Sequence, residues 1–242
     1  SLMPFDDIDA DGLRDLVVGT PGVTAQKVEV GGAVVLGSAA IGELSGLGDE
    51  MLLHQIVGSE AHTFLGAAIG TTPDFDGDGI AEILLGTPEH TVWELKGGLA
   101  VAVGSTQFMK GAEYVFDPEG QIDPSVGIAW GGAEGEGFGQ SVLGMDLNQD
   151  GLGDMLIAIH TEDVQVPGSV RVVSGVDLAI GGPTYMESTI ANIVGLPGYF
   201  GSEMALLPDA DGDGVSEVMI SAPGLNNQNG SLLVMGSQDI AL

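Results

Sequence analysis

Three observations predict an all-β fold built of repeated sheets. An aspartate-rich loop recurs four times along the 242 residues, beginning at 7, 74, 146 and 209, at intervals of 67, 72 and 63 residues. Each copy is followed at once by a short apolar run bounded by glycine, proline or other small residues, the mark of a buried strand. Convincing helical periodicity is absent, while 41 glycines and 44% hydrophobic residues give a turn-rich composition able to bury a core. The chain reads as one domain, 1–242, of four units: 1–57, 58–130, 131–194 and 195–242.

The strands after the loops are Leu16–Val18, Ile83–Leu85, Met155–Ile157 and Val218–Ile220. Turns at Gly19-Thr20-Pro21, Gly86-Thr87-Pro88 and Ser221-Ala222-Pro223 end three of them, and Ala158-Ile159-His160 stands at that place in the third unit. A glycine-led strand comes next: Gly32–Leu36, Gly98–Val103, Gly168–Val173 and Gly230–Met235. Another is expected at His54–Val57, Val126–Trp130 and Thr189–Val194, and one leads into the following loop at Phe64–Ile69, Phe138–Leu143 and Phe200–Leu206. Four short strands per unit are the content of one β-propeller blade. Residues 38–53 have room for one helical turn, and 104–125 read as an inter-strand insertion. Residues 238–242 are too few to supply the fourth unit's last strand. The repeats therefore form either part of a larger ring or an unusual small propeller.

The loops share the pattern D-x-[DN]-x-D-G-h-x-[DE], with h apolar. Their candidate ligands are Asp7, Asp9, Asp11, Leu13 and Asp15; Asp74, Asp76, Asp78, Ile80 and Glu82; Asp146, Asn148, Asp150, Leu152 and Asp154; and Asp209, Asp211, Asp213, Val215 and Glu217. Carboxylates this close repel by about 1 kcal/mol per pair at 4 Å in water, and about 4 at an effective dielectric of 20. A cation relieves that repulsion, and oxygen-only ligands on a short loop favour Ca²⁺, up to four ions, over Mg²⁺ with its stricter octahedral demand. Carboxylates at positions 1, 3 and 5 would converge on one side of a turn that glycine at 6 permits. The apolar residue at 7 is expected to point into the core with its carbonyl toward the metal, and the acid at 9 to close the site. Position 12 holds Val18, Leu85, Ile157 and Ile220 instead of glutamate, which excludes an EF-hand. One such loop alone could equally be an Asx-rich turn; four in register argue for metal. At tenfold excess over its dissociation constant each ion adds about 1.4 kcal/mol, so four would add about 6. That is comparable to the whole net stability of an ordinary domain, about 5–15 kcal/mol.

Charge narrows the partners. Formal net charge is −30, from 5 basic and 35 acidic residues, and such a surface repels nucleic acid and anionic lipid. There is no cysteine, hence no disulfide, thiol catalysis or cysteine zinc site. No run reaches the ~18 apolar residues of a membrane span, so no membrane insertion is expected.

With strands and loops in this order, the units resemble FG-GAP repeats, the blades of the integrin α-subunit propeller and of many bacterial secreted proteins. The Phe-Gly element stands at Phe138-Gly139 and Phe200-Gly201, with Phe64-Leu65-Gly66 as a variant, and the GAP element is the turn after each loop strand. The first unit lacks a Phe-Gly element, and the third departs at its GAP turn. The resemblance implies a calcium-loaded propeller, extracellular or on the cell surface, that binds a protein or glycan through rim loops. Further propeller blades or domains of a longer chain are other expected partners. It also implies aspartate at position 9, so Glu82 and Glu217 are one methylene long and place the ion differently, while Asn148 makes the third loop the weakest.

No catalytic constellation is visible, and the expectation is a non-enzyme. His54 and His160 read as core or edge residues and His62 and His90 as exposed, with no metal-type spacing. Five basic residues are too few for a polyanion cleft. The glycine-rich run 131–137 precedes a strand, so it is no phosphate loop. The alternative is the propeller domain of a polysaccharide lyase or hydrolase. Rim segments 22–31, 89–97, 161–167 and 224–229 are the candidate partner surface, with Trp93 its best aromatic anchor.

Overall fold

The computed structural model describes residues 1–25, 28–37, 52–58, 64–88, 98–103, 112–116, 126–131, 137–159, 163, 165–179, 182–184, 189–225, 230–236 and 239–240. In each unit the acidic loop is the connection between two antiparallel strands. β1 (Leu2–Pro4) and β2 (Leu16–Gly19) flank the first loop. A small hairpin follows, β3 (Thr24–Ala25) with β4 (Val28–Glu29), then β5 (Gly32–Leu36) and β6 (Leu52–Gly58) complete a sheet in the order β1-β2-β5-β6.

The second sheet repeats the plan with β7 (Ala68–Thr72), β8 (Glu82–Thr87) and β9 (Leu99–Val103). Between β9 and its fourth strand the chain leaves to form β10 (Ala112–Phe116), which pairs in parallel with β6 of the first sheet, and returns as β11 (Val126–Trp130). The third sheet is β12 (Phe138–Met145), β13 (Asp154–Ile159), β14 (Pro167–Val173) and, after a detour, β16 (Thr189–Pro197). That detour holds a five-residue helix α1 (Gly175–Ala179) and β15 (Gly182–Thr184), which pairs in parallel with β11. β17 (Met204–Leu207), β18 (Glu217–Ala222) and β19 (Ser231–Met235) make the fourth sheet.

The all-β expectation holds, with corrections in detail. Phe64–Ile69 and Phe200–Leu206 do not begin as strands: Phe64 and Tyr199 have φ of 52° and 59°, and these segments turn before β7 and β17 start. Leu52 and Leu53, expected within a helical segment, open β6, and the rest of 38–51 lies outside the described residues. The insertion at 104–125 contributes β10. Helix α1 is shorter than two turns, too short to leave a periodic trace in sequence. No helix among the described residues is long and apolar enough to cross a membrane.

Side-chain alternation stacks the sheets. Counting from the acid that closes each loop, the first and third residues of the next strand face the preceding sheet and the second faces the following one. Ile83 and Leu85 thus meet Val17, Val35 and Ile56 of the first sheet. Leu84 meets Met155 and Ile157 of the third. Leu156 and Ala158 meet Val218 and Ile220 of the fourth. β8 and β13, covered on both faces, are buried throughout, whereas β2 alternates half-buried with buried. Three apolar clusters join four sheets in series, and among the described residues none joins the first sheet to the fourth.

Backbone contacts at one corner pin this stacking. A Cβ on Gly19 would overlap the carbonyl oxygen of Gly66, and one on Gly86 that of Gly139. The glycines of the GAP-like turns and of the Phe-Gly elements are therefore two halves of one close approach between successive sheets. In the third unit Ala158 replaces the glycine, and its methyl would stand 3.0 Å from a Cβ built on Gly201.

Candidate metal centres in the acidic loops

All four loops are held by one hydrogen-bond scheme. The aspartate at position 1 accepts backbone N–H groups from the far side of its turn: Asp7 from Asp11 and Gly12, Asp74 from Gly77, Asp78 and Gly79, Asp146 from Asp150 and Gly151, Asp209 from Gly212 and Gly214. Position 3 accepts from position 5, and position 5 from position 7, as in Asp78 Oδ1 with the Ile80 N–H at 2.8 Å. The position-6 glycines have φ of 87° to 92°, a region costly for other residues. Position 4 is left-handed too, at Ala10, Gly77, Gln149 and Gly212.

The acid at position 9 reaches back to the N–H of position 2. Asp15 accepts from Ile8 at 2.7 Å, Glu82 from Phe75 at 2.9 Å, Asp154 from Leu147 at 2.9 Å and Glu217 from Ala210 at 2.9 Å. Position 2 is also where three of the loops anchor in the core: Phe75 and Leu147 are buried, and Ile8 packs against the first apolar cluster. The expectation that position 7 does this is corrected. Leu13 is 54% exposed and Ile80 41%, Leu152 is half-buried, and only Val215 is buried. The turn through glycine swings position 7 outward, while position 2 still belongs to the strand entering from the core. The apolar character of Ile8, Phe75 and Leu147 was the signal that pointed to it.

Three of the four loops gather carboxylates. Asp74, Asp76, Asp78 and Glu82 each offer an oxygen, all within 4.8 Å of one another, as do Asp7, Asp9 and Asp15, and Asp209, Asp211 and Glu217. Asp11 and Asp213 stand outside the converging sets. In the third loop Asp146, Asp150 and Asp154 do not converge among the described residues. There the Asn148 amide donates to Asp150 Oδ2 at 2.9 Å. Asp154 spends both oxygens on backbone, Oδ2 on Leu147 and, longer, Asn148, and Oδ1 on the Gly175 N–H at the start of α1.

The closing glutamates differ. Oε1 of Glu82 and Oε1 of Glu217 are buried without a hydrogen-bond partner, each beside converging aspartates. A buried, unpartnered carboxylate oxygen costs several kcal/mol unless something positive meets it. Burial pushes the Glu82 carboxyl up to about 9; the Phe75 N–H works against this, and the charges of Asp76, Asp74 and Asp78 add to it. Burial also raises Asp154, opposed by the N–H groups of Gly175, Leu147 and Asn148. An oxygen-preferring divalent cation fits the second and fourth loops on this test, for it would supply the missing partner.

Other expected features are quickly placed. His54 is buried in β6, as a core residue. Trp93, His62, His90, His160 and the segment 89–97 lie outside the described residues.

Fold and loops together define an all-β protein of stacked, blade-like sheets with acidic clusters at the same strand-to-strand connection in three of them. Over 106 residues, 42% of the chain, it is 40% identical to integrin alpha-5 of Xenopus laevis, and the match covers 10% of that protein. The chain thus matches about a tenth of this curated relative's length. No model of a known protein family matches the chain.

Proposed function

We propose that the chain is a calcium-dependent, FG-GAP-type propeller module acting outside the cell as a binding scaffold, not an enzyme. The observation that carries this is the orphaned, buried Glu82 Oε1 set among Asp74, Asp76 and Asp78. An ion there would be held by those four carboxylates and the Ile80 carbonyl. Asp209, Asp211, Glu217 and Val215 would hold a second, and Asp7, Asp9, Asp15 and Leu13 a third. Calcium is structural in this reading: it neutralises the acid that closes the loop at the head of β2, β8 and β18. The likeness to an integrin alpha chain supports an extracellular setting and a protein partner; a glycan bound through the same rim loops is the other ligand class. The carbohydrate-active alternative gains no support from the described residues.

Calorimetric titration of the EDTA-stripped chain tests it, with three calcium ions expected per chain. Equal melting temperatures in EDTA and in millimolar calcium would refute the structural role.

A further inference from the structure

Among the described residues the third loop gathers no set of carboxylates, yet it touches the second loop, which gathers the largest. The Gly153 N–H donates to the main-chain carbonyl of Asp74 at 3.0 Å, and among the described residues no other backbone hydrogen bond joins one acidic loop to another. Gly153 stands at position 8, where the other loops carry Arg14, Ala81 and Ser216. Its φ lies outside the left-handed region, so conformation does not require glycine there; room does. A Cβ on Gly153 would overlap the Pro73 carbonyl oxygen and the Thr72 hydroxyl. Only a hydrogen at this point lets the two loops meet.

Two further contacts grip the strand end that leads into the second loop. Thr72, fully buried at the end of β7, donates from Oγ1 to the main-chain oxygen of Asp154 at 3.3 Å. A Cβ on Gly144 of β12 would overlap Thr72 Cα, so the backbones meet there with no side chain between them. Thr72, Pro73 and Asp74 are therefore held from the third unit just before the chain turns. Asp74 is the residue whose carboxylate takes the N–H groups of Gly77, Asp78 and Gly79 and joins the converging set. Fixing its carbonyl fixes the backbone from which that carboxylate is aimed. The first and fourth loops differ accordingly. Asp74 is half-buried, whereas Asp7 and Asp209 at the same position are exposed, and the second loop brings four acids together where these bring three.

We propose that Gly153 and Thr72 are positioning residues for the second loop's cation: the third loop is a brace for its neighbour and makes it the tightest of the three calcium sites. The inference rests on the calcium reading above. A ligand set held in place before the ion arrives loses less freedom on binding, and the difference appears as affinity. Half-burial adds to it, because water and salt screen the attraction less. The buried, unpartnered Glu82 Oε1 is the independent sign that this loop receives a cation. The brace's own closing acid, Asp154, is meanwhile occupied by the N–H groups of Leu147 and Gly175.

The test is calorimetric titration of the EDTA-stripped full chain with calcium, comparing the parent with Asp76→Ala, Gly153→Ala and Thr72→Val. The parent should take up one ion more tightly than the other two, and Asp76→Ala should lose that tight ion. Gly153→Ala should still bind three, with the tight one weakened about tenfold and the other two unchanged. Should Gly153→Ala fail to fold, Thr72→Val keeps the shape, removes only the hydroxyl, and should weaken the same site by a smaller factor. A role confined to folding would lower the melting temperature in EDTA and leave the order of the three affinities as it was; that result overturns the proposal. So does an Asp76→Ala variant that keeps the tight ion, or a loss of affinity spread evenly over the three sites. A parent chain that takes up no calcium overturns the calcium reading as well, whereas each of the other failures leaves that reading standing.

Discussion

The loop at 74–82 and the loop at 146–154 run through the same turns, with the same backbone N–H groups folded onto the first aspartate, yet they solve one electrostatic problem in two ways. In the third unit the closing acid, Asp154, is short enough to be ringed by N–H donors, one of them lent by the first turn of α1. In the second unit Glu82 satisfies one oxygen at Phe75 and thrusts the other, unpartnered, among three aspartates. Backbone dipoles stabilise the one; the other asks for a cation. Counting charges along the sequence misses this, since the loops differ by a single acid, Asp76 against Asn148.

Several substitutions would break or sharpen the contrast. The largest effect belongs to Asp154→Ala, which strands buried N–H groups of Leu147 and Gly175 and should cost about 4 kcal/mol, at roughly 2 per donor. Chemical denaturation should show this loss undiminished by EDTA, because no ion is involved. Calcium itself has an effect of the same size. Filling three sites at tenfold excess over their dissociation constants adds about 4 kcal/mol, and Asp76→Ala should remove about a third of that increment in thermal melts, whereas Asn148→Ala should leave it untouched.

Protonation gives the third test. Folding raises the Glu82 carboxyl from 4.5 to about 9, so between those values the calcium-free folded state holds more protons than the unfolded chain. Its stability is therefore greatest at the acid end of that window and falls as pH rises through it. Glu82→Gln should flatten this profile and raise the melting temperature in EDTA while losing one calcium site. A calcium-free chain that grows more stable from pH 5 to pH 8 would contradict the burial of Glu82. The smallest expected effect is that of Asn148→Asp. It restores the missing charge but not a free closing oxygen, so the calcium stoichiometry from calorimetry should not change.

Much of this was legible beforehand, for reasons that are physical. Short apolar runs after the loops had to be strands, because their length and bounding turns leave a helix no room, and the loops' spacing counted the sheets. What escaped was of two kinds. Contacts between segments distant in sequence, such as Gly175 with Asp154 or β10 with β6, leave no local pattern. Directions within a turn, such as the outward swing of Leu13 and Ile80, depend on backbone angles that composition does not fix. The extra methylene of Glu82 is expected from sequence only to place the ion differently; in the structure Glu82 keeps one oxygen at the Phe75 N–H and puts the other, unpartnered, into the cluster.

The glycine-to-carbonyl contacts at Gly19–Gly66 and Gly86–Gly139 have a mechanical consequence. Where two backbones touch with no side chain between them, the contact is a fulcrum, and the apolar residues beyond it set how far the sheets splay. Ala158, facing Gly201, is a shim one methyl thick inserted at the third such point. How closely neighbouring sheets approach at this corner is thus limited by whether these few positions carry a hydrogen or a methyl.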